Sequence, residues 1–471
     1  MAQVAPTREQ YEALVAENAA QKKRIAELEE LVRDLRCRLK LDSTNSSMPP
    51  SSDPPWTARP RKPPTGRKPG GQPGHEGTTR TPFSAEEVDR RVPVFPVRCR
   101  RCRRRLGPGD AVGEQVRHQT VDLPPAAAEV TEYVLARCGC PRCGTVTAAE
   151  LPEDAPTGVV GPRLQGVMAV LAGRFRLSRR EVREAAAALF GGKALVSVGT
   201  VAAMETHTSA ALAGPYREAL QAVRSSASAN TDETSWWEAR RRAWLWAGVT
   251  KLLRVFRVDR RRSKAAFVRF LGDFRGVLGT DRWSAYRGIK ALKRQLCWAH
   301  LLRNFKAIEE RGGPAKAIGE DGRQAALAVM DLWRSFLEGE ISRPALRRRL
   351  TPIRARLRWR LTKGLGSPDR KARAMCRDVL KWWPSLWTFA RVDGVEPTNN
   401  AAERAVRKAV LWRKGSFGSA SAAGSRFAER MLTAAESLRA QGRPVLDFVE
   451  AAIRAHQVGA PHPSLLPARR A

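Results

Sequence analysis

The sequence predicts a multidomain α+β protein: an α/β core interrupted by a helical insertion and preceded by a coiled coil and a small zinc-knuckle domain. Three observations predict it. From Ala227 the texture turns from helical to strand-like, with short β-type runs in quick succession. A helical, tryptophan-bearing stretch over 311–390 then separates the last of those runs from a later capped helix. Two Cys-x2-Cys pairs, Cys99/Cys102 and Cys140/Cys143, stand upstream. At 471 residues the chain is too long for one compact core.

Charge bounds the partners. Lys and Arg number 84 against 47 Asp and Glu, a net charge of +37, and the pI is about 11.2. Such a surplus favours a polyanion, because each neutralised phosphate releases condensed counterions. An arginine-heavy composition without that role is the alternative. The polar, early-acidic start is unlike a signal peptide, and no run of about 18 apolar residues suggests a membrane span. Five of the eight cysteines fall between Cys99 and Cys143, which suits a reducing compartment and a metal rather than a disulfide framework. A cytoplasmic location is expected, with no membrane partner.

Residues 8–41 carry a 3.5-residue apolar repeat on Tyr11, Leu14, Ile25, Leu28, Val32, Leu35 and Leu39. The repeat lasts about four heptads, with Asn18 at an a position and Gln21 at a d position, which favours a parallel dimer in fixed register. A solitary amphipathic helix is the alternative. Residues 42–82 are rich in Ser, Pro, Gly and basic residues, and cannot bury enough apolar surface to order themselves. They read as a linker or an arm that orders on a nucleic-acid backbone.

The segment 83–155 reads as a zinc-binding domain. Cys99, Cys102, Cys140 and Cys143 supply four thiolates for a closed, structural zinc site, with Cys138 a surplus candidate. Cys37, Cys297 and Cys376 read as ordinary thiols. Over 161–226, a helix from about Ser178 to Phe190, a Gly191-Gly192 break and a helix from about Ser197 resemble a helix-turn-helix. A packed helix pair without DNA contact is the alternative.

Three strand-like runs follow, Ser228–Trp237, Ala243–Thr250 and Leu252–Asp259. A helix over Ser263–Phe274 comes next. A strand, Gly276–Thr280, then enters Asp281, and a fifth, Arg294–Trp298, leads to a helix from about His300 to Glu310. This is the element order of a ribonuclease-H-like fold, begun over 227–310 and completed over 391–455. It makes Asp232, on the first strand, a neighbour of Asp281 at the sheet centre. Alternation puts Asn230, Asp232 and Thr234 on one face and Glu233 on the other, so only one of the two acids can join a common site. Asp232 is chosen. Asp259, Asp273 and Asp393 read as caps or solvated charges.

The insertion, 311–390, carries Trp333, Trp359, Trp382, Trp383 and Trp387. Its clusters Arg347–Arg349 and Arg354–Arg360 are candidate phosphate contacts or a solvated face. Thr398-Asn399-Asn400 is expected to cap a helix running to about Leu411, with Ala402, Val406 and Ala409 packed inward. Glu403 and Arg407 share another face, and an i,i+4 salt bridge between them is the bland reading. Arg404, Arg407, Lys408, Arg413 and Lys414 follow the acid and are candidate DNA contacts. Residues 456–471 form a basic tail.

Two carboxylates at strand ends and a third on a later helix can hold a pair of divalent ions that activate an oxygen to attack a phosphodiester. The three are Asp232 in Asn-Thr-Asp-Glu-Thr, Asp281 in Gly-Thr-Asp-Arg-Trp, and Glu403 in Asn-Asn-Ala-Ala-Glu-Arg.

The assembled motifs resemble a transposase of the insertion-sequence-66 family. They are Asn45-Ser46-Ser47, Pro49 to Asp53, Gly70 to Gly77, the paired cysteines, Thr231 to Thr234, Thr280 to Tyr286, Cys297 to Leu301, and Asn399 to Arg407 with Arg413-Lys414. The matches run collinearly from about residue 10 to 455. The resemblance implies a DDE-type enzyme of a bacterial insertion sequence, with Asp232, Asp281 and Glu403 holding two Mg²⁺ ions (or Mn²⁺). It implies 3′-end cleavage and strand transfer of element DNA into target DNA, and a homodimer or higher oligomer, with accessory proteins from the same element possible. It also implies that Cys297-x-x-His300 lies near the site, with no role assigned to His300. Arg282-Trp283 departs from the family pattern, in which a Gly and a smaller aromatic are usual. A nuclease without strand transfer, or a catalytically silent DNA-binding protein, is the alternative.

Overall fold

The computed structural model describes residues 13–21, 24, 25, 27, 28, 82–113, 117–123, 126–153, 155, 156, 158–272 and 274–467. They divide into two units: Arg59–Ala127 is one, and Met1–Ala58 with Ala128–Ala471 the other. Cys99 and Cys102 thus belong to the smaller unit and Cys138, Cys140 and Cys143 to the larger. The arm over 42–81 and the heptad residues Tyr11, Val32, Leu35 and Leu39 lie outside the described residues. Those described near the amino terminus are helical, and Leu14, Ile25 and Leu28 on them are exposed.

In the larger unit a two-stranded hairpin, β1 (Arg137–Gly139) and β2 (Val146–Ala148), precedes four helices. These are α1 (Pro162–Gly173), α2 (Arg179–Phe190), α3 (Val198–Ala211) and α4 (Ala213–Arg224). Ser178 caps α2, accepting from the N–H of Glu181, and Ser197 caps α3 through Thr200. The Gly191-Gly192 break lies between them, as the pattern suggested.

The main sheet comprises β3 (Ser228–Glu238), β4 (Arg241–Val249), β5 (Arg254–Asp259), β6 (Val277–Thr280) and β7 (Arg294–Leu296), in the order β5-β4-β3-β6-β7. The first three form an antiparallel meander, and β6 and β7 add in parallel. α5 (Lys264–Leu271) connects β5 to β6, as the parallel addition of β6 requires. After β7 come α6 (Trp298–Glu309), α7 (Gly313–Leu337), α8 (Arg343–Gly364) and α9 (Arg370–Lys381), then α10 (Asn400–Ser416), α11 (Ala422–Ala440) and α12 (Val445–Gln457). The whole is a mixed α/β architecture. No helix among the described residues is long and apolar enough to cross a membrane.

The sheet's edges are closed by side chains. Along α11, Glu429, Thr433 and Ser437 stand four residues apart, one per turn of a single face. They accept from the N–H groups of Val258 (2.5 Å), Phe256 (3.1 Å) and Arg254 (2.9 Å), alternate residues of the edge strand β5. At the far edge, Thr388 donates to the Arg294 carbonyl of β7, and Gln295 accepts from the N–H of Phe389. The β3–β4 turn is also braced. Ala239 and Arg240 both have positive φ (49° and 60°), as a two-residue hairpin of this hand requires. Ser419 holds it, accepting from the Ala239 N–H and donating its own to Trp237.

Two hydrophobic clusters result. One lies between the sheet and the flanking helices, including Trp236, Trp246, Phe256, Phe270 and Val449. The other belongs to α6 and the insertion, around Trp298, Phe305, Leu346, Leu361 and Trp387. The insertion therefore has its own core, and it seats on α6. There Gly319 of α7 allows close approach: a Cβ would lie 2.1 Å from the backbone nitrogen of Glu309. Gly319→Val is expected to cost about 1–3 kcal/mol or more by forcing the helices apart. Thermal melting beside the exposed control Ala317→Val reads the difference.

Glu429 gives the edge ladder a pH dependence. Burial, against the favourable charge of Arg426, raises its carboxyl from 4.5 to about 7. The folded chain then holds this proton more tightly than the unfolded one, so stability falls as pH rises from about 4.5 to about 7. Glu429→Gln keeps an acceptor for Val258 and removes the titration. It is expected to raise Tm relative to the parent at pH 8 more than at pH 5.

Candidate active site

Parallel pairing of β3 and β6 matches Asn230 with Gly279. Two residues further along each chain stand Asp232 and Asp281, side by side at the centre of the sheet. Asp232 is half-buried on β3, and Asp281 begins the loop after β6. Burial first, then the Glu233 carboxylate, push the Asp232 carboxyl well above the usual range. Asp281 and Glu403 add to the rise. The three sequence-selected acids therefore lie within electrostatic reach of one another. No Lys or Arg among the described residues makes an ion pair with Asp232 or Asp281. Asp232 and Asp281, acids without an ion-pair partner of their own, are donors suited to divalent metal ions.

Glu233 faces the other side, as alternation required, and the sequence did not reveal its partners. Its Oε1 accepts from Arg262 Nη2 at 2.7 Å and its Oε2 from the Tyr286 hydroxyl at 2.5 Å. Arg262 is sandwiched in turn, 4.2 Å over the Trp283 ring and 4.9 Å over Trp244. Trp283, one of the departures from the family pattern, is thus a platform for the arginine that holds Glu233 away from Asp232.

The Asp281 loop is pinned by two arginines. Arg294 of β7, almost fully buried, donates to the Thr280 hydroxyl (2.8 Å) and to the Asp281 carbonyl (2.6 Å), with its plane 4.9 Å over Trp382. Burial pulls its guanidinium below the usual arginine range, where it still stays charged. Arg282, the other departure, reaches the insertion, bonding Asp378 at 2.7 Å and Asn304 at 3.1 Å. The Asp281 side chain accepts from the N–H of Trp283.

Glu403 sits in the first turn of α10, and the expected cap is corrected here. Asn399 occupies the N-cap position, but its side chain makes no capping bond. Its Nδ2 donates instead to the Thr231 carbonyl of β3 at 2.8 Å, and its backbone N–H to Cys297 Sγ at 3.2 Å. The tertiary partners outcompete the local cap. α10 also runs past Leu411 to Ser416, ending at Phe417 in a left-handed conformation. Ala402, Val406 and Ala409 are buried as expected. Glu403 does not pair with Arg407: its Oε1 lies 3.3 Å from His300 Nδ1 and 3.9 Å from Arg303 Nη2. Neither Glu403 Oε1 nor His300 Nδ1 has a hydrogen-bond partner, although both atoms are buried. Burial and the charge of Arg303 keep the His300 imidazole toward its neutral form.

Cys297, read as an ordinary thiol, therefore stands beside Glu403. Its ligand atom, that of His300 and that of Glu403 all lie within 4.8 Å of one another. Asp232 and Asp281 stand outside that trio. The only early signal was the Cys297-x-x-His300 spacing.

The basic residues after Glu403 split. Arg404, Arg407 and Lys414 are exposed and Lys408 half-buried, whereas Arg413 donates to Ser235 of β3 and braces the helix. The insertion's arginines split likewise. Arg356 and Arg360 pair with the buried Asp321, and Arg347 donates to the Ala390 carbonyl. Arg348, Arg349 and Arg358 remain exposed. Asp259 and Asp393 pair with Arg269 and Arg343, and Asp273 lies outside the described residues.

The two cysteine turns share one backbone pattern, each within its own unit. Cys99 N–H donates to Arg104 and its carbonyl accepts from Arg103; Cys140 N–H donates to Thr145 and its carbonyl accepts from Gly144. The fifth residue of each turn, Arg103 and Gly144, has positive φ (65° and 72°). The Cys99 thiol is lowered by the N–H groups of Cys102 and Arg101, and that of Cys143 by the Thr145 hydroxyl. Both shifts favour the thiolate that a metal requires.

Comparison with known proteins adds three findings. Residues 3–81 match a family of unknown function (DUF6444). An uncharacterized protein of Sinorhizobium fredii, y4qI, is 27% identical over 236 residues, which cover 44% of this chain and 42% of that relative. The chain thus spans less than half the length of that relative. Residues 184–426, more than half of the chain and all three acids, match the model of the IS66 transposase family. The chain belongs to the IS66 family of transposases.

Proposed function

We propose that the protein is a DDE-type DNA transposase with a ribonuclease-H-like core, cutting element ends to free 3′-hydroxyls and joining them to target DNA. What supports this reading is that β3, carrying Asp232, pairs with β6, which leads into Asp281, and that Asn399 ties the start of α10, with Glu403 in its first turn, to β3. Asp232, Asp281 and Glu403 would hold divalent ions, Mg²⁺ or Mn²⁺. The Glu403 Oε1, buried without a hydrogen bond, and Asp232, whose carboxyl burial and neighbouring acids push up, fit that role. Bound there, the ions would supply activation of the attacking oxygen and stabilisation of the leaving 3′-oxygen.

The chain's own residues do the positioning. Arg294 and Arg282 fix the Asp281 loop, and Asn399 fixes the start of α10. Arg262 and Tyr286 hold Glu233 to the far face. Arg404, Arg407, Lys408 and Lys414 extend from the acid along α10 toward DNA phosphates, with Arg303 beside them; Arg413 steadies the helix. No side chain has to serve as a covalent nucleophile: water opens the first phosphodiester, and the freed 3′-hydroxyl opens the second. The donors proposed for structural zinc are Cys99 and Cys102 in the smaller unit, and Cys140 and Cys143 in the larger. The exposed Leu14, Ile25 and Leu28 support self-association through the amino-terminal helix.

Asp232→Asn, Asp281→Asn and Glu403→Gln are each expected to reduce Mg²⁺-dependent nicking and joining of element-end DNA at least about a thousandfold, several kcal/mol of transition-state stabilisation. Chelation of the metal ions should do the same. Nicking without joining would instead identify a hydrolytic nuclease, and indifference to all three substitutions a silent DNA-binding protein. Arg407→Ala is expected to weaken DNA binding across sequences and to lower the salt slope of log K by about one. Titrations at several salt concentrations measure it.

A further inference from the structure

Cys297 opens α6 with its Sγ turned toward backbone N–H groups. Asn399, across the junction, donates at 3.2 Å, and the amides of His300 and Ala299 also face it. Bonding to a metal would remove the thiol proton outright. One helical turn later His300 presents Nδ1. From α10 Glu403 presents Oε1 at 3.3 Å from it. Both of these atoms are buried without a hydrogen-bond partner. Buried polar atoms without hydrogen bonds are costly, and these two, 3.3 Å apart beside a sulfur with Arg303 3.9 Å from the carboxylate, form a donor set that a metal ion would satisfy.

We propose that Cys297, His300 and Glu403 form a binding site for a borderline-soft divalent transition metal, zinc foremost. Thiolate and imidazole select zinc over magnesium, which takes oxygen ligands. The donor atoms lie within 4.8 Å of one another. Ligand-to-ligand distances around tetrahedral zinc are about 3.3–3.8 Å, given bonds of about 2.0–2.3 Å. A contraction of about 1 Å therefore closes the site, with water as the fourth ligand. On binding, the Cys297 S–H bond is exchanged for S–Zn and one proton leaves to solvent.

The site shares Glu403 with the proposed catalytic set. Zinc bound there withdraws that carboxylate from Asp232 and Asp281 and holds the enzyme off until a competing chelator takes the metal. This consequence rests on the proposed transposase function; the binding does not. The test therefore needs no DNA.

Co²⁺ serves as the spectroscopic probe. It is titrated into the metal-stripped full chain and into three variants, following thiolate-to-cobalt charge-transfer absorption and bound equivalents. The cysteine turns near the amino terminus contribute the same background to all four proteins. Cys297→Ser and His300→Ala are each expected to lose one equivalent relative to the parent, and Glu403→Gln to bind that equivalent at least about tenfold more weakly. Equal stoichiometry in the parent, Cys297→Ser and His300→Ala overturns the proposal. Unchanged affinity in Glu403→Gln overturns the carboxylate's place in it. If Cys297→Ser does not fold, His300→Ala decides: loss of the equivalent supports the site and retention overturns it.

Discussion

The junction at Asn399 is the constraint on which the rest depends. One residue ties three elements: its amide side chain grips β3 at Thr231, its backbone grips Cys297 at the head of α6, and its own position starts α10. A second backbone bond, from the Trp298 N–H to the Pro397 carbonyl, doubles the clasp. Between α6 and α10 the chain makes a long excursion through α7, α8 and α9. Without a fixed return point, Glu403 would have no defined height relative to Asp232. The short polar bonds at this junction tie the start of a distant helix to the central strand of the sheet.

The insertion uses this arrangement rather than disturbing it. Because its core is built on Trp298, Phe305 and their neighbours, it is anchored to the same α6 that carries His300 and Arg303. Arg282 and Arg294 continue the link from the other side, one bonded to Asp378 of α9 and the other stacked on Trp382. The Asp281 loop is therefore stretched between sheet and insertion. A movement of the insertion would be felt at that carboxylate through Arg282 and Arg294.

Much of this was legible in the sequence because it is periodic or local. Strand alternation separated Asp232 from Glu233, and the order of strands and helices forecast that Asp281 would neighbour the first acid. The apolar spacing on α10 named the stripe of Ala402, Val406 and Ala409. What escaped was long-range pairing, which leaves no period. Asn399 looked like a cap because Asn before a helix usually is one, yet Thr231, 168 positions away, takes its side chain. Cys297 looked inert because nothing local marks a thiol whose neighbours arrive from another helix. Arg356 and Arg360 read as phosphate contacts or a solvated face, and neither reading foresaw their pairing with Asp321. Glu233 seemed spare, while Arg262 and Tyr286 were waiting for it.

The ladder that Glu429, Thr433 and Ser437 lay along β5 has a consequence for how copies of this protein can meet. A free edge strand is a template on which another chain can crystallise its own backbone, the first step toward runaway association. Here the donors of β5 are already claimed by side chains, and on β7 the Arg294 carbonyl is taken by Thr388 while the Gln295 side chain binds the Phe389 N–H. A sheet whose β5 margin is occupied in this way offers no free donors there for growth. Crowded together, neighbouring copies are kept from fusing along the β5 margin of their sheets.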